Sequence, residues 1–473
     1  MAQNVTIAGA SYTDVTAIEV PKTTSGVASF HDVTDTTATA SDVAVSKYFY
    51  TAAGVKTEGT HDCTGGLEDE VIARTISGAY SNSTALSIGQ CAFVGCSSLE
   101  SVYFDNCATI GSEAFRGNYS LITAVFPNCV TIEPQGAFQD CGYLESISFP
   151  NCESIGLMAF MGATRLSAAV FPKCSYIGSY AFDYCQYLSN ISFPSCVTIG
   201  NSAFYGCSLS LKSAIFPECT TIGDSAFMSC KSLTTAEFSK CISVGSYAFA
   251  SCTNLSTISF PLCEIIGNNA FYQIRKTSDI YFPQCTSIGT YAFYWGSVVT
   301  VNFPECITIG NGAFQSNTSL TTASFPKCET IGSNAFSYCS RLTEASFPVC
   351  TTIGSYAFYY TKLSEVEFSV CTTIGSFAFS SCSFLTTASF PKCTNIGGSA
   401  FVGCSKLSAL YLLTSSVPTL FYGASSVFKS TPLLNSTYLG YFGSVYVYSS
   451  MVSAFKSATN WTTISSRITA YVE

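Results

Sequence analysis

Residues 328–350 read CETIGSNAFSYCSRLTEASFPVC. Three cysteines, Cys328, Cys339 and Cys350, stand eleven residues apart. A metal site, a disulfide cluster and a structural repeat would each give cysteines at even spacing, and the surrounding residues decide between them. The frame Phe-Pro-x-Cys-x-x-Ile-Gly-x-x-Ala-Phe-x-x-Cys-x-x-Leu recurs along most of the chain, at intervals of 21 to 23 residues. Its first cysteine runs from Cys107 to Cys393, and its Ala-Phe pair marks fifteen coils from Ala92-Phe93 to Ala400-Phe401. A fixed period of this length means a solenoid, because one unit cannot bury its apolar face alone and must stack on its neighbours. The spacing of the three cysteines is then the half-period and the period of a stack.

The period also places the backbone. In Leu320-Thr-Thr-Ala-Ser-Phe325 apolar and small polar residues alternate, which predicts a short strand with Leu, Ala and Phe inward and the residues flanking Ala outward. Proline after Phe ends that strand. The Ile-Gly step reads as a turn using glycine at positive φ. Gly-Ser-x-Ala-Phe then reads as one turn of α- or 3₁₀-helix. One strand per coil, stacked in parallel, gives a rod of roughly 70 Å for fifteen coils.

This frame resembles the BspA-type leucine-rich repeat over residues 86–412. The resemblance implies a curved or gently twisted solenoid, a role in adhesion or recognition, and no catalytic site.

The thiols fit the same reading. The second cysteine column holds Cys96, Cys141, Cys185, Cys207, Cys230, Cys252, Cys339, Cys382 and Cys404, but other coils carry Asn118, Ala163, Ile274, Gly296, Asn317 or Thr361 there. Ligands and disulfide partners would not be exchanged for Ala or Ile. The 25 cysteines are read as small buried fillers, with no metal and no cofactor.

Composition narrows the function classes. Only 10% of residues are charged, the net charge is −9, and no basic run appears, which argues against a nucleic-acid partner. No run of eighteen apolar residues predicts membrane insertion. The N-terminus MAQNVTIAGASYTDV has no signal-peptide pattern, so synthesis in the cytoplasm is expected. No enzyme motif is found. His31 and His61 lie outside the repeats, His61-Asp62-Cys63 is adjacent in sequence rather than across a fold, and Glu365 and Glu367 flank Val366 as a solvated strand face.

Four segments follow: 1–63, 64–85 as linker and first cap, 86–412 as solenoid, and 413–473 as C-terminal cap. Residues 38–60, ATASDVAVSKYFYTAAGVKTEGT, resemble a module of phage tail and tail-fibre proteins through Ala40, Asp42, Val43, Lys47, Tyr50, Gly54, Gly59 and Thr60. That resemblance implies attachment to other virion proteins or trimerisation; the plainer alternative is a polar arm with a hairpin at Ala53-Gly54. The end, GSVYVYSSMVSAFKSATNWTTISSRITAYVE, predicts strand, helix over about 450–458 and strand. It resembles caps that follow such repeats, at Tyr446, Val447, Phe455, Lys456, Ala458, Asn460 and Trp461.

Recognition would fall on variable positions. Those after Ala-Phe are aromatic-rich, and Tyr272, Arg275, Tyr294, Trp295, Tyr338, Tyr359 and Tyr360 are the candidate ligand-binding residues. Two coils depart most from the frame, AFYQIRKTSDIYF and AFYWGSVVTVNF. One period apart, such rings can line a continuous strip suited to sugar or peptide; the plainer alternative is that they cover an edge or pack on sister chains. The expected function is a phage tail fibre or receptor-binding protein. It would be carried on the virion tail, act outside the cell, bind a glycan or protein of the bacterial surface, and work as a homo-oligomer, with a trimer expected. A bacterial surface adhesin of the same family and a structural spacer are the alternatives.

Overall fold

The computed structural model describes residues 76–434 and 442–472, together with the backbone of six strands within residues 3–58. Those six pair antiparallel: Gln3–Ile7 with Ala10–Val15, Ala17–Pro21 with Val27–His31, and Tyr48–Tyr50 with Lys56–Glu58. The last pair brackets Ala53-Gly54. His61, Cys63 and most of the 38–60 module lie outside the described residues, as does the side chain of His31. The chain forms two compact units, Met1–Cys174 and Ser175–Glu473.

Both units are built from parallel coils. In the second, Thr322–Ser324 pairs with Glu344–Ser346 so that Ala323 lies opposite Ala345. In the first, Thr123–Val125 pairs with Ser146–Ser148 in the same register. Alternation holds as expected: in Thr322–Ser324 only Ala323 is buried. Each coil also carries a second, two-residue strand that the alternation rule does not reveal. Thr330–Ile331 pairs with Thr352–Ile353, and Thr109–Ile110 with Thr131–Ile132.

Two expectations need correction. The Ile-Gly glycines do not take positive φ. They are glycine because successive coils touch there: a Cβ on Gly332 would lie 2.6 Å from the carbonyl carbon of Gly310, and one on Gly354 2.5 Å from the amide nitrogen of Ser333. The predicted helical turn is also replaced. The segment keeps i→i+3 hydrogen bonds, such as Ala335 N–H to Gly332 O and Ser337 N–H to Asn334 O. However, the residue before Ala and the second residue after Phe are left-handed, as at Asn334 (φ 59°) and Tyr338 (φ 60°), so the chain makes linked turns rather than a helix. This geometry aims three amides per coil at the next one: Asn334 to Ser355 O, Phe336 to Ala357 O and Tyr338 to Tyr359 O, all at 2.8 Å.

The core is a pair of phenylalanine columns. Phe336 stacks on Phe358 at 5.4 Å, Phe325 stacks on Phe347 at 5.3 Å, and Phe336 meets Phe347 edge-on at 5.6 Å. Phe115, Phe138, Phe126 and Phe149 repeat the pattern in the first unit. Stacked and edge-to-face contacts are the favoured aromatic geometries, so each ring is held from two directions.

The C-terminal segment gives the last coil its partners. Phe401 and Gly403 donate to Val427 O and Lys429 O where a further coil would have accepted. Phe428 stacks on Phe401 at 5.9 Å, and Ser444–Val447 pairs parallel with Ala409–Tyr411. The helix Val452–Ser457 brings Phe455 against Trp461, whose indole N–H donates to Pro418 O at 2.9 Å. The expected strand–helix–strand order is observed, with the final strand at Ile468–Ala470.

Candidate binding surface

The thiol columns carry structure rather than chemistry. All described cysteines but Cys91 are buried. Cys328 Sγ donates to Thr330 O at 3.3 Å, closing its own turn. Cys339 Sγ donates to Phe314 O at 3.1 Å, one coil back. That second bond explains the asparagine exchanges in the column. Asn118 and Asn317 donate their side-chain amides to Phe93 O and Phe293 O, the equivalent carbonyls. Cys339, Asn118 and Asn317 thus donate one coil back, a role that the filler reading missed, while Ala163, Ile274 and Gly296 fill the column without a side-chain donor. Burial raises the thiol of Cys328 to about 12 and that of Cys339 further, so neither forms the thiolate that metals and oxidants require. No group of His, Cys, Asp and Glu among the described residues can hold a metal ion.

The aromatic candidates lie in the second unit, where the linked turns place them. Tyr272 stacks on Tyr294 at 5.6 Å, Tyr294 meets Trp295 at 6.0 Å, and the Arg275 guanidinium lies 5.9 Å from the Trp295 ring centre. The four candidates of the two irregular coils thus converge. Tyr338 meets Tyr359 edge-on at 5.1 Å and Tyr360 at 6.0 Å. Between these clusters the coil of Ala313-Phe314 offers Gln315 and Ser316 instead of rings. The surface is therefore two aromatic patches with a polar step between them rather than one strip.

The structure adds residues that reading after Ala-Phe alone overlooks. Tyr291 meets Tyr294 at 5.2 Å, Tyr356 meets Tyr359 at 5.7 Å, and Phe377 stacks on Tyr356 at 4.6 Å. All three precede Ala of the Ala-Phe pair, and the recurrence of aromatics in that column was the available signal.

The rings of Trp295, Tyr338 and Tyr360, with φ of 60°, and of Tyr291, Tyr356 and Phe377, with φ between 56° and 58°, stand in two columns whose backbone is left-handed in every coil. Left-handed backbone costs a residue with a side chain about 1–2 kcal/mol relative to glycine. Other coils fill the column of Trp295 and Tyr338 with Gly117, Gly162, Gly206 or Gly403. The fold does not need a ring there. Trp295, Tyr338 and Tyr360 are each about half exposed, at 50%, 45% and 53%.

Tyr184 and Tyr205 form a further pair at 5.5 Å, beside the buried Asp183. One carboxylate oxygen of Asp183 has no hydrogen-bond partner, and burial pushes its carboxyl up to about 6.

Stacked phenylalanines, two parallel strands per coil and a leucine column facing them define a leucine-rich-type solenoid whose outer surface is the part open to a partner. The sequence matches the BspA type Leucine rich repeat region over residues 75–188, 153–263, 264–371 and 307–435. The chain belongs to that family. Among solved structures it is similar to a leucine-rich repeat protein from Bacteroides ovatus at 22% identity and a TM-score of 0.56, covering 80% of this chain and 99% of that one. It is also similar to a leucine rich cell surface protein from Faecalibacterium prausnitzii at 22% identity and a TM-score of 0.38, covering 78% and 93% of the two chains. No curated protein matches.

Proposed function

We propose that the chain is a non-catalytic recognition protein that meets a bacterial surface through the two aromatic clusters of its second unit. The observation that carries this reading is the set of half-exposed rings at left-handed positions, where glycine serves other coils. The left-handed backbone is common to every coil; it is the choice of a large half-exposed ring, where Gly, Ser, Asp or Gln serves elsewhere, that points to a use beyond the fold. Rings with polar ends give large contact area at low entropic cost, and Gln315 and Ser316 between the clusters supply hydrogen bonds. A sugar chain or an extended peptide suits such a surface.

We place this activity in a phage tail fibre or receptor-binding protein, acting outside the cell after assembly on the virion. Residues 38–60, with their likeness to phage tail modules, support that placement and give the attachment segment its role. Homotrimerisation would multiply weak contacts into avidity. A bacterial surface adhesin would use the same clusters, and the 38–60 module is what favours the virion.

The test is a glycan array and a bacterial-cell binding assay with the full chain and with Tyr294→Ala/Trp295→Ala. Binding that falls tenfold or more in the variant is expected. Unchanged binding, or no binding to any glycan or cell, would remove the recognition reading and leave a spacer.

A further inference from the structure

At the N-terminal ends of the three-residue strands, the second unit carries an open groove of about 520 Å³ lined by Lys212, Ser232, Thr234, Asn254, Ser256 and Lys276. Lys212 directly precedes the strand Ser213–Ile215, and Lys276 belongs to the coil three steps further on, whose strand is Asp279–Tyr281. At the ordinary strand spacing the two ammonium groups flank a span of about 14 Å. Lys231 and Arg275 stand immediately beside the lining residues.

The charges here are uncompensated. The described ion pairs use Arg116, Arg165, Lys240 and Lys327, so among the described residues neither Lys212 nor Lys276 has a carboxylate partner. In a chain of net charge −9 with only 20 basic residues, two lysines without ion pairs on one groove make a local field opposite to that of the whole. No run of basic residues announces it, because the coils bring together residues distant in sequence.

The floor between the lysines has a definite polarity. Ser232 Oγ donates to Ser208 O at 2.9 Å, Thr234 Oγ1 to Lys212 O at 2.9 Å and Ser256 Oγ to Thr234 O at 3.1 Å. The Asn254 side-chain amide donates to Lys231 O at 2.8 Å. The three hydroxyl protons are spent on the preceding coil, which leaves the oxygens as acceptors, while the Asn254 amide keeps its oxygen and a second N–H. The site therefore offers cations at its two ends and acceptors between them. That pattern fits a chain with anionic groups at intervals and hydroxyl donors in between.

We propose that this groove binds an acidic polysaccharide, with carboxylate or phosphate groups on Lys212 and Lys276 and sugar hydroxyls donating to Ser232, Thr234, Asn254 and Ser256. Nucleic acid fits less well. Its phosphates would recur against the acceptor floor, and no aromatic side chain lines the groove to stack a base. The site is distinct from the aromatic clusters and does not rest on their reading.

The test titrates the full chain with polygalacturonate, its neutral methyl ester, a phosphomannan and single-stranded DNA, at low and at physiological salt. Binding to polygalacturonate, to the phosphomannan or to both is expected, which also tells carboxylate from phosphate. It should weaken about tenfold in Lys212→Gln/Lys276→Gln and hold in the charge-matched control Lys392→Gln/Lys429→Gln. The methyl ester should not bind. Failure of both acidic glycans to bind, equal loss in the two double variants, or DNA binding as tight as that of the glycans would each overturn the proposal.

Discussion

At Gly332 the residue choice is set by the neighbouring coil. An added Cβ would lie 2.6 Å from the Gly310 carbonyl carbon, and the nearest atoms are all backbone of Gly310 and Asn311, which leaves nothing flexible to move. Gly332→Ala is expected to destabilise the protein by about 1–3 kcal/mol in urea denaturation, the usual cost of overpacking. Asp183 is a residue-scale liability of another kind. Its carboxyl is raised to about 6 in the fold against an ordinary 3.8, so the folded state binds the proton more tightly than the unfolded one. The resulting stabilisation is complete below about pH 4 and is lost as pH rises through 6. Asp183→Asn should remove this dependence and raise stability at pH 8 by roughly 1–3 kcal/mol, as read from melting curves at several pH values. Neither residue's role was legible in sequence. The recurrence of Ile-Gly was visible, but its reason is a contact between coils, and Asp183 occupies a variable position that looks solvated until the stack is built.

At the scale of the coil, the outward-inward alternation of Leu320–Phe325 was legible because period two survives in a short strand. The pair Thr330–Ile331 was not, because two residues show no alternation and glycine follows. The linked turns were misread as a helical turn for a physical reason. Positive φ at Asn334 and Tyr338 is imposed by the amide bonds to the next coil, Ser355 O and Tyr359 O, and not by local preference. The second cysteine column belongs to this scale too. If Cys339 serves as the donor to Phe314 O, the isosteric pair Cys339→Thr and Cys339→Val separates hydrogen bond from volume. The Val variant should be less stable than the Thr variant by about 1 kcal/mol, measured by chemical denaturation. Equal stabilities would mean that the column is filled for size alone.

At the scale of the whole molecule, fifteen Ala-Phe pairs at a fixed interval implied the stacking, and the residues of the frame carried the likeness to the family. The candidate surface was half legible. Tyr272, Tyr294 and Trp295 stand out in coils that break the frame, while Tyr291, Tyr356 and Phe377 join them only once the turns are folded. The basic groove was not legible at all, because Lys212 and Lys276 meet through the stack. What the surfaces share is that variable residues stand on a core that does not require them.

That independence is the central claim, and the free energy of unfolding of Trp295→Gly/Tyr338→Gly/Tyr360→Gly tests it most directly. Replacing rings at φ 60° with glycine relieves left-handed backbone while giving up packing that is about half exposed. Stability within about 1 kcal/mol of the parent, or above it, is the predicted result. A loss of more than about 3 kcal/mol would contradict the account, because it would make the rings part of the core rather than residues kept for a partner.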